Sequence, residues 1–197
     1  MNKLLFISTT IFTLLLSGCS LMQPKTATLD VSTQQELKQE ASKAIKTVAG
    51  SLQKNLMSKV KEGGLSRAAT FCSTHATSLA KEASKTLNKG VSLRRITDKP
   101  RNPMSQGTPE QLAVFEEIKN KMTKGEKVDM IVKQKSANHY QVYKPIKMAG
   151  ACLNCHGDET KRQEKAYEII AKKYPNDKAV NYKLNDFRGA FLVDIVR

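Results

Sequence analysis

The chain has 197 residues, 40% of them hydrophobic, which is enough for one domain with its own hydrophobic core. Its net charge of +15 comes from scattered lysines with few aromatic residues among them, and the chain opens with an export signal. These features argue against nucleic acid as a partner and are typical of a solvated basic surface. Such a surface would also attract an acidic partner protein or anionic lipid.

The N-terminal segment resembles a bacterial lipoprotein signal peptide. Lys3 gives a positive start, Leu4 to Leu16 form an apolar run, and a Ser-Gly pair precedes Cys19. The run is shorter than the about 20 apolar residues of a membrane-spanning helix and is typical of an export signal. We therefore expect residues 1–18 to be removed during export.

Cys19 is the predicted lipidation site. Several acyl chains on this residue would hold the chain firmly on a membrane surface, and the polar residues 19–32 would form a tether to the domain. An ordinary secretory signal with an incidental cysteine is the alternative. Because Ser20 is not Asp, the predicted location is the periplasmic side of the cell envelope, with the lipid in the outer membrane.

Two helices are predicted after the tether. Apolar residues recur at helical spacing from about Thr33 to Lys61, and Gly63-Gly64 should end this long helix. A second apolar stripe predicts a helix from about Leu65 to Leu87. Cys72 lies within this stripe and should face the interior, with His75 near the edge of the same face. The long first helix is also a candidate surface for a homodimer.

The remaining elements do not follow a regular βαβ alternation. They comprise a strand, a capped helix, a hairpin, a charged helix and a final strand, predicted over Val91–Ile96, Pro109–Lys124, Lys127–Lys135 with His139–Met148, Thr160–Tyr174 and Arg188–Val196. Helices flanking an antiparallel sheet make an α+β domain, which we expect to span residues 33–197.

The segment Cys152-Leu153-Asn154-Cys155-His156 is a Cys-x-x-Cys-His motif. Two thiols one helical turn apart can bond to the two vinyl groups of a haem, and the adjoining histidine can bind its iron. A thioredoxin-like pair would need a βαβ context, and a zinc site would need a second Cys or His pair. We therefore predict one covalent haem c, attached through Cys152 and Cys155, with His156 as an iron ligand.

Several residues are candidates for the second axial ligand. They are Cys72, His75, His139 and the methionines Met104, Met122, Met130 and Met148. Cys72 attracts attention because lipid and haem would account for the other three cysteines, and a thiolate can bind haem iron. A small buried hydrophobic residue is the alternative for Cys72, and a vacant iron site is also open.

An ordered set of short motifs resembles a family of bacterial c-type haem domains with a PAS-like fold, long described as a domain of unknown function. The set comprises Phe71-Cys72-Ser73, Val91-Ser92-Leu93-Arg94-Arg95, Arg101-Asn102-Pro103, Tyr143-Lys144-Pro145-Ile146, the haem motif with Gly157, and Arg188-Gly189-Ala190-Phe191. The resemblance covers about residues 35 to 197. It implies a PAS-like sheet flanked by helices around one haem, with His156 and Cys72 as axial ligands.

Four arginines are candidate partners for the haem propionates, because a guanidinium group matches a carboxylate in a two-pronged way. They are Arg94, Arg95, Arg101 and Arg188. The alternative is that they are ordinary surface residues. Arg101-Asn102-Pro103 has a further alternative role, which is to fix the loop that closes the haem pocket.

The predicted function is electron transfer or redox sensing by a six-coordinate, low-spin haem with an acidic redox partner protein. An alternative is a gas sensor, in which Cys72 leaves the iron on reduction and NO or CO replaces it. A less favoured alternative is a peroxidase-like enzyme, which would need an open iron site and a base such as His75 or His139.

Overall fold

The computed structural model describes residues 29–197. The predicted signal peptide, the predicted lipid site Cys19 and the tether as far as residue 28 lie outside these residues. Within the described part of the chain, no helix combines the length and the apolar character that a membrane span needs.

The long N-terminal helix is present and extends further than expected. Helix α1 spans Val31–Thr74 and is capped by Asp30, whose side chain accepts a hydrogen bond from the Thr33 amide. The predicted break at Gly63-Gly64 is a kink, where both glycines leave helical geometry before the helix resumes. The prediction of a single helix from Leu65 to Leu87 is wrong, because α1 ends at Thr74 and His75 separates it from the next helix. A separate helix α2, Ala76–Ser84, follows.

A four-stranded antiparallel sheet forms the centre of the domain, with the strand order β1-β4-β3-β2. Its strands are β1 Val91–Ile96, β2 Ile131–Ser136, β3 His139–Lys147 and β4 Phe187–Val196. The first strand of the predicted hairpin thus starts four residues later than Lys127. The predicted α+β class, with its long N-terminal helix and antiparallel sheet, is confirmed.

Helices cover both faces of this sheet. Helix α3, Pro109–Thr123, starts with a capping box between Thr108 and Gln111 and packs on one face. Its buried neighbours there are Ile96, Tyr143, Ala190 and Leu192. The first part of α1 packs on the other face, where Leu37, Ala41 and Ala44 meet Val142, Val193 and Ile195. The alternation of side chains along β3 and β4 supplies both cores from the same strands.

The Cys-x-x-Cys-His motif lies at one end of the sheet. It forms a 3-10 turn, Gly150–Cys152, followed by the one-turn helix α4, Leu153–His156. Helix α5, Glu164–Lys173, comes next and packs against the part of α1 that follows the kink. Helix α5, the second half of α1 and the segment between α5 and β4 therefore border the motif.

One consequence of the core packing is a specific alkaline instability. Burial, together with the charges of Asp194 and Glu110, raises the pKa of Tyr143 from 10.0 to about 12. Above the ordinary pKa of tyrosine the unfolded chain ionises while folded Tyr143 does not, so stability falls as pH rises. The wild type should lose roughly 2 kcal/mol more than Tyr143→Phe between about pH 9 and about pH 12.

Denaturant unfolding of the two proteins at several pH values tests this expectation. At neutral pH the variant should be about 1 kcal/mol less stable, because Gln141 Oε1 loses its hydrogen bond from the Tyr143 hydroxyl (2.7 Å). Parallel stability curves throughout the alkaline range would refute the assignment.

Candidate functional site

The two motif cysteines are free thiols within the described part of the chain, and both are half-buried. Cys152 packs with the buried residues Met148, Ala179 and Tyr182. Cys155 packs with Ala69 and Ile170, which belong to α1 and α5. The motif is therefore held from two sides, and neither cysteine is fully buried.

Gly157 ends the motif because there is no room for a side chain. A Cβ atom at this position would lie 2.7 Å from the Leu153 carbonyl oxygen and 2.7 Å from Lys161 Cβ. Its φ of −68° is open to any residue, so the constraint is space rather than backbone handedness.

His156 is held in a single orientation by the backbone. Its Nδ1 lies 2.7 Å from the Ala179 carbonyl oxygen. Because a carbonyl can only accept, Nδ1 carries the proton, and Nε2 of the neutral ring presents a lone pair. Burial, reinforced by the nearby positive charges of Arg101 and Arg188, holds the pKa of His156 well below its usual value. The ring is therefore a neutral imidazole whose Nε2 has the lone pair that a metal ligand needs.

Three of the four predicted arginines surround this histidine. Arg95, Arg101 and Arg188, here called the arginine cluster, all lower the pKa of His156 by their charge. Desolvation by the surrounding protein, with the charges of Arg188 and Arg101, lowers the pKa of Arg95 to about 10. Because this pKa lies well above 7, Arg95 stays charged at neutral pH, and the residue as a whole is exposed. The cluster makes this end of the sheet strongly attractive to anions.

Arg94 lies on the opposite face of β1 from Arg95, because neighbouring residues of a strand alternate. It is exposed, and its charge acts on Tyr143 in the core beneath α3. The structure therefore separates Arg94 from the arginine cluster and from His156.

Arg188 is the buried member of the cluster, with 4% of its surface exposed. Its Nη1 donates to Thr97 Oγ1 (2.8 Å), whereas its Nε has no hydrogen-bond partner within residues 29–197. The hydroxyl of the buried residue Tyr182 is likewise unpartnered within these residues. Lys99 Nζ lies 4.3 Å from the centre of the Tyr182 ring. Buried donors without acceptors are costly, so the Arg188 Nε and the Tyr182 hydroxyl are suited to an acidic ligand.

Arg101 is already engaged by the protein. Its Nε donates to Asp177 Oδ2 (2.9 Å) and its Nη2 to the Cys155 carbonyl oxygen (2.7 Å). The adjacent Asn102 side chain accepts from the Met104 amide and caps a short 3-10 turn. These contacts favour the alternative role for Arg101-Asn102-Pro103, in which the segment fixes the loop beside the motif.

The expectation that Cys72 faces the interior is wrong, because the residue is exposed. Beyond the kink, α1 packs on α5 through Leu65 and Ala69, which leaves Cys72 at the edge of that contact. Its thiol still lies within electrostatic reach of Cys155, Arg101 and Arg95. Partial desolvation by these surroundings, with Cys155 adding to it, raises the pKa of Cys72, while the two arginines oppose the shift.

The structure places the other candidate axial residues in several different regions of the domain. His75 stacks on Phe71 and lines a cavity of about 650 Å³ between α1 and α2, whose lining does not include the motif. His139 Nε2 pairs with Asp194 at 2.9 Å, at the start of β3. Among the methionines, Met104 is 86% exposed, and Met122 and Met130 pack in the clusters on the two faces of the sheet. Met148 is buried beside Cys152 of the motif.

Sequence reasoning missed the segment between α5 and β4. Asp177, Ala179 and Tyr182 all come from this irregular stretch, and each contacts the motif or the arginine cluster. The stretch has no periodicity and no motif of its own. The only available signal was a Pro-Asn-Asp turn followed by a lone tyrosine, which is too common to identify a site.

The sequence model of a protein family described as Tll0287-like matches residues 25–195. The chain belongs to the Tll0287-like family. Among solved structures, the crystal structure of the cyanobacterial heme-protein Tll0287 shares the fold at a TM-score of 0.56 and 21% identity. That alignment covers 86% of this chain and 98% of the cyanobacterial chain. No curated protein matches the sequence.

Proposed function

We propose that this member of the Tll0287-like family carries one covalent haem c, bound through Cys152, Cys155 and His156. The observation that carries the proposal is the hydrogen bond from His156 Nδ1 to the Ala179 carbonyl oxygen. It leaves Nε2 of a neutral ring free to bind iron, directly beside two free thiols with the spacing of the haem-attachment motif. The bound haem would supply one-electron redox chemistry.

The polar groups around the motif fit the acidic edge of such a cofactor. The Arg188 Nε and Tyr182 hydroxyl groups are buried and lack acceptors within residues 29–197, and haem propionates would provide carboxylate oxygens. Arg95 and Lys99 add positive charge nearby. In this proposal Arg188 and Arg95 hold the propionates, whereas Arg101 fixes the neighbouring loop.

Cys72 is the proposed second axial ligand. It comes from the helix that packs against Cys155 through Ala69, and its thiol interacts electrostatically with Cys155. Burial raises the pKa of the Cys72 thiol, Arg101 and Arg95 oppose that rise, and coordination to iron would remove the thiol proton. Two protein ligands make the iron six-coordinate and low-spin, which suits electron transfer or redox sensing better than turnover of a substrate.

Absorption and low-temperature magnetic resonance spectra of the purified protein in both oxidation states test this proposal. We expect low-spin haem in the ferric protein and a low reduction potential, because thiolate stabilises ferric iron. A five-coordinate, high-spin ferric haem would overturn the assignment of Cys72.

The second candidate function is gas sensing, which the exposure of Cys72 favours, because an exposed ligand can leave without disrupting a core. Rapid binding of CO by the dithionite-reduced protein would support this function over electron transfer. The peroxidase-like alternative finds no such support, because His75 and His139 lie in other surroundings than the motif.

The proposed location is the periplasmic side of the cell envelope, with lipid on Cys19 in the outer membrane. A chain with a net charge of +15 would attract an acidic redox partner and anionic lipid. A homodimer through the N-terminal helix remains a prediction from the sequence.

A further inference from the structure

A closed ring of interactions ties His156 to the loop before α3 and to the segment before β4. Arg101 Nε donates to Asp177 Oδ2 at 2.9 Å, and Asp177 Oδ1 accepts from the Ala179 amide at 2.8 Å. The Ala179 carbonyl oxygen then accepts from His156 Nδ1 at 2.7 Å. Arg101 Nη2 closes the ring by donating to the carbonyl oxygen of Cys155, the residue before the histidine, at 2.7 Å.

The members of this ring are shielded from water. The Asp177 side chain is 2% exposed, the Arg101 side chain is 14% exposed and Ala179 is fully buried. Both oxygens of Asp177 are used, one by the guanidinium group and one by the backbone. A buried carboxylate with both oxygens engaged in this way fixes geometry more firmly than a surface ion pair does.

We propose that Asp177 and Arg101 are positioning residues for His156. They hold the Ala179 carbonyl oxygen at the position where it accepts the hydrogen bond from His156 Nδ1. A firm hydrogen bond at Nδ1 makes the ring a stronger electron donor through Nε2, which favours ferric iron. This inference rests on the proposed haem site, and it assigns to Arg101 a role in tuning the iron ligand.

Three variants separate the parts of the ring. Asp177→Ala removes both interactions of the carboxylate, whereas Asp177→Asn can keep the bond to the Ala179 amide and loses the ion pair. Arg101→Lys keeps every charge but lacks the planar fork with which two nitrogens of Arg101 donate to Asp177 and to Cys155. Asp98→Asn is the control for loss of a paired carboxylate, because Asp98 is bound to Lys119 at 2.8 Å outside the ring of interactions.

Reduction potentials of the haem-loaded full chains provide the main readout. Asp177→Ala should shift the ferrous-to-ferric ratio at a fixed ambient potential by about tenfold towards ferrous, or about 59 mV for one electron. Asp177→Asn and Arg101→Lys should shift it in the same direction by about threefold, and Asp98→Asn by less. If Asp177→Ala does not fold, the two milder variants carry the test.

Two outcomes would overturn the inference. One is a shift in Asp177→Ala no larger than that in Asp98→Asn. The other is an unchanged potential in Arg101→Lys. This variant keeps its charge, so a shift seen in the Asp177 variants alone would be explained by the lost charge rather than by the positioning of His156.

A second readout does not need haem. In full-length chain produced without haem and labelled with ¹⁵N-histidine, the His156 ring should show one tautomer, protonated at Nδ1, in the wild type and in Asp98→Asn. In Asp177→Ala both tautomers should appear, and an imidazole spectrum of His156 that is unchanged in that variant would contradict the inference. A wild type that takes up no haem in cells would instead refute the proposed function, and the ring spectrum would still decide the role of Asp177.

Discussion

Replacing Cys152 and Cys155 together by serine is expected to abolish covalent haem attachment. Serine keeps the size and the local backbone, but its hydroxyl does not form the bond to a haem vinyl group that a thiol forms. Haem that survives extraction with acidified solvent should fall from about one per chain to none. The readout is haem absorbance that stays with the denatured polypeptide.

The matched control is Cys72→Ser, which removes a thiol from the same site but not from the motif. This variant should keep its covalent haem. Denatured double variant that still carries haem colour would show that the motif cysteines are not the attachment points.

Cys72→Ala is expected to keep covalent haem but to change its spectrum from low-spin to largely high-spin. Loss of the thiolate leaves the iron with His156 as its one protein ligand, and the reduction potential should rise because ferric iron loses a negatively charged donor. The reduced variant should also bind CO faster than the wild type. Absorption and magnetic resonance spectra of the ferric protein measure the change.

The spectral change cannot be ascribed to unfolding, because Cys72 is exposed and its truncation should cost less than about 1 kcal/mol. Ser73→Ala is the control, as it truncates the neighbouring residue of the same helix. A Cys72→Ala spectrum identical to that of the wild type would make Cys72 an ordinary helix residue and would leave the second axial position to another group.

The elements with strong local signals were predictable from the sequence. Period-two patterns located β1 and β3, and Thr108 with Pro109 marked the start of α3. The late start of β2 was not predictable, because residues 127–130 continue the apolar alternation although the backbone pairs with β3 only from Ile131. Strand pairing is a tertiary property that one segment does not encode.

The candidate site was predictable in its chemistry but not in its geometry. The Cys-x-x-Cys-His spacing alone makes Cys152, Cys155 and His156 the candidate haem-binding residues. The burial of Cys72 was misjudged because a helical stripe gives a direction but not the extent of the partner that covers it. Similarly, Arg94 and Arg95 looked equivalent in sequence, although strand alternation assigns them to opposite faces.

The acceptor for His156 could not be found in the sequence. Ala179 acts through its backbone carbonyl, which every residue has, and it reaches the motif only because Asp177 and Arg101 fold the segment back. Such contacts join parts of the chain that are distant in sequence and leave no periodic trace.

The central claim is that the two motif thiols hold a haem, and the intact mass of the mature protein tests it most directly. The protein should be purified from the membranes of cells with working cytochrome c maturation. The expected mass is that of the chain from Cys19 plus one haem and the lipid on Cys19. A colourless protein whose mass shows no added haem would contradict the account.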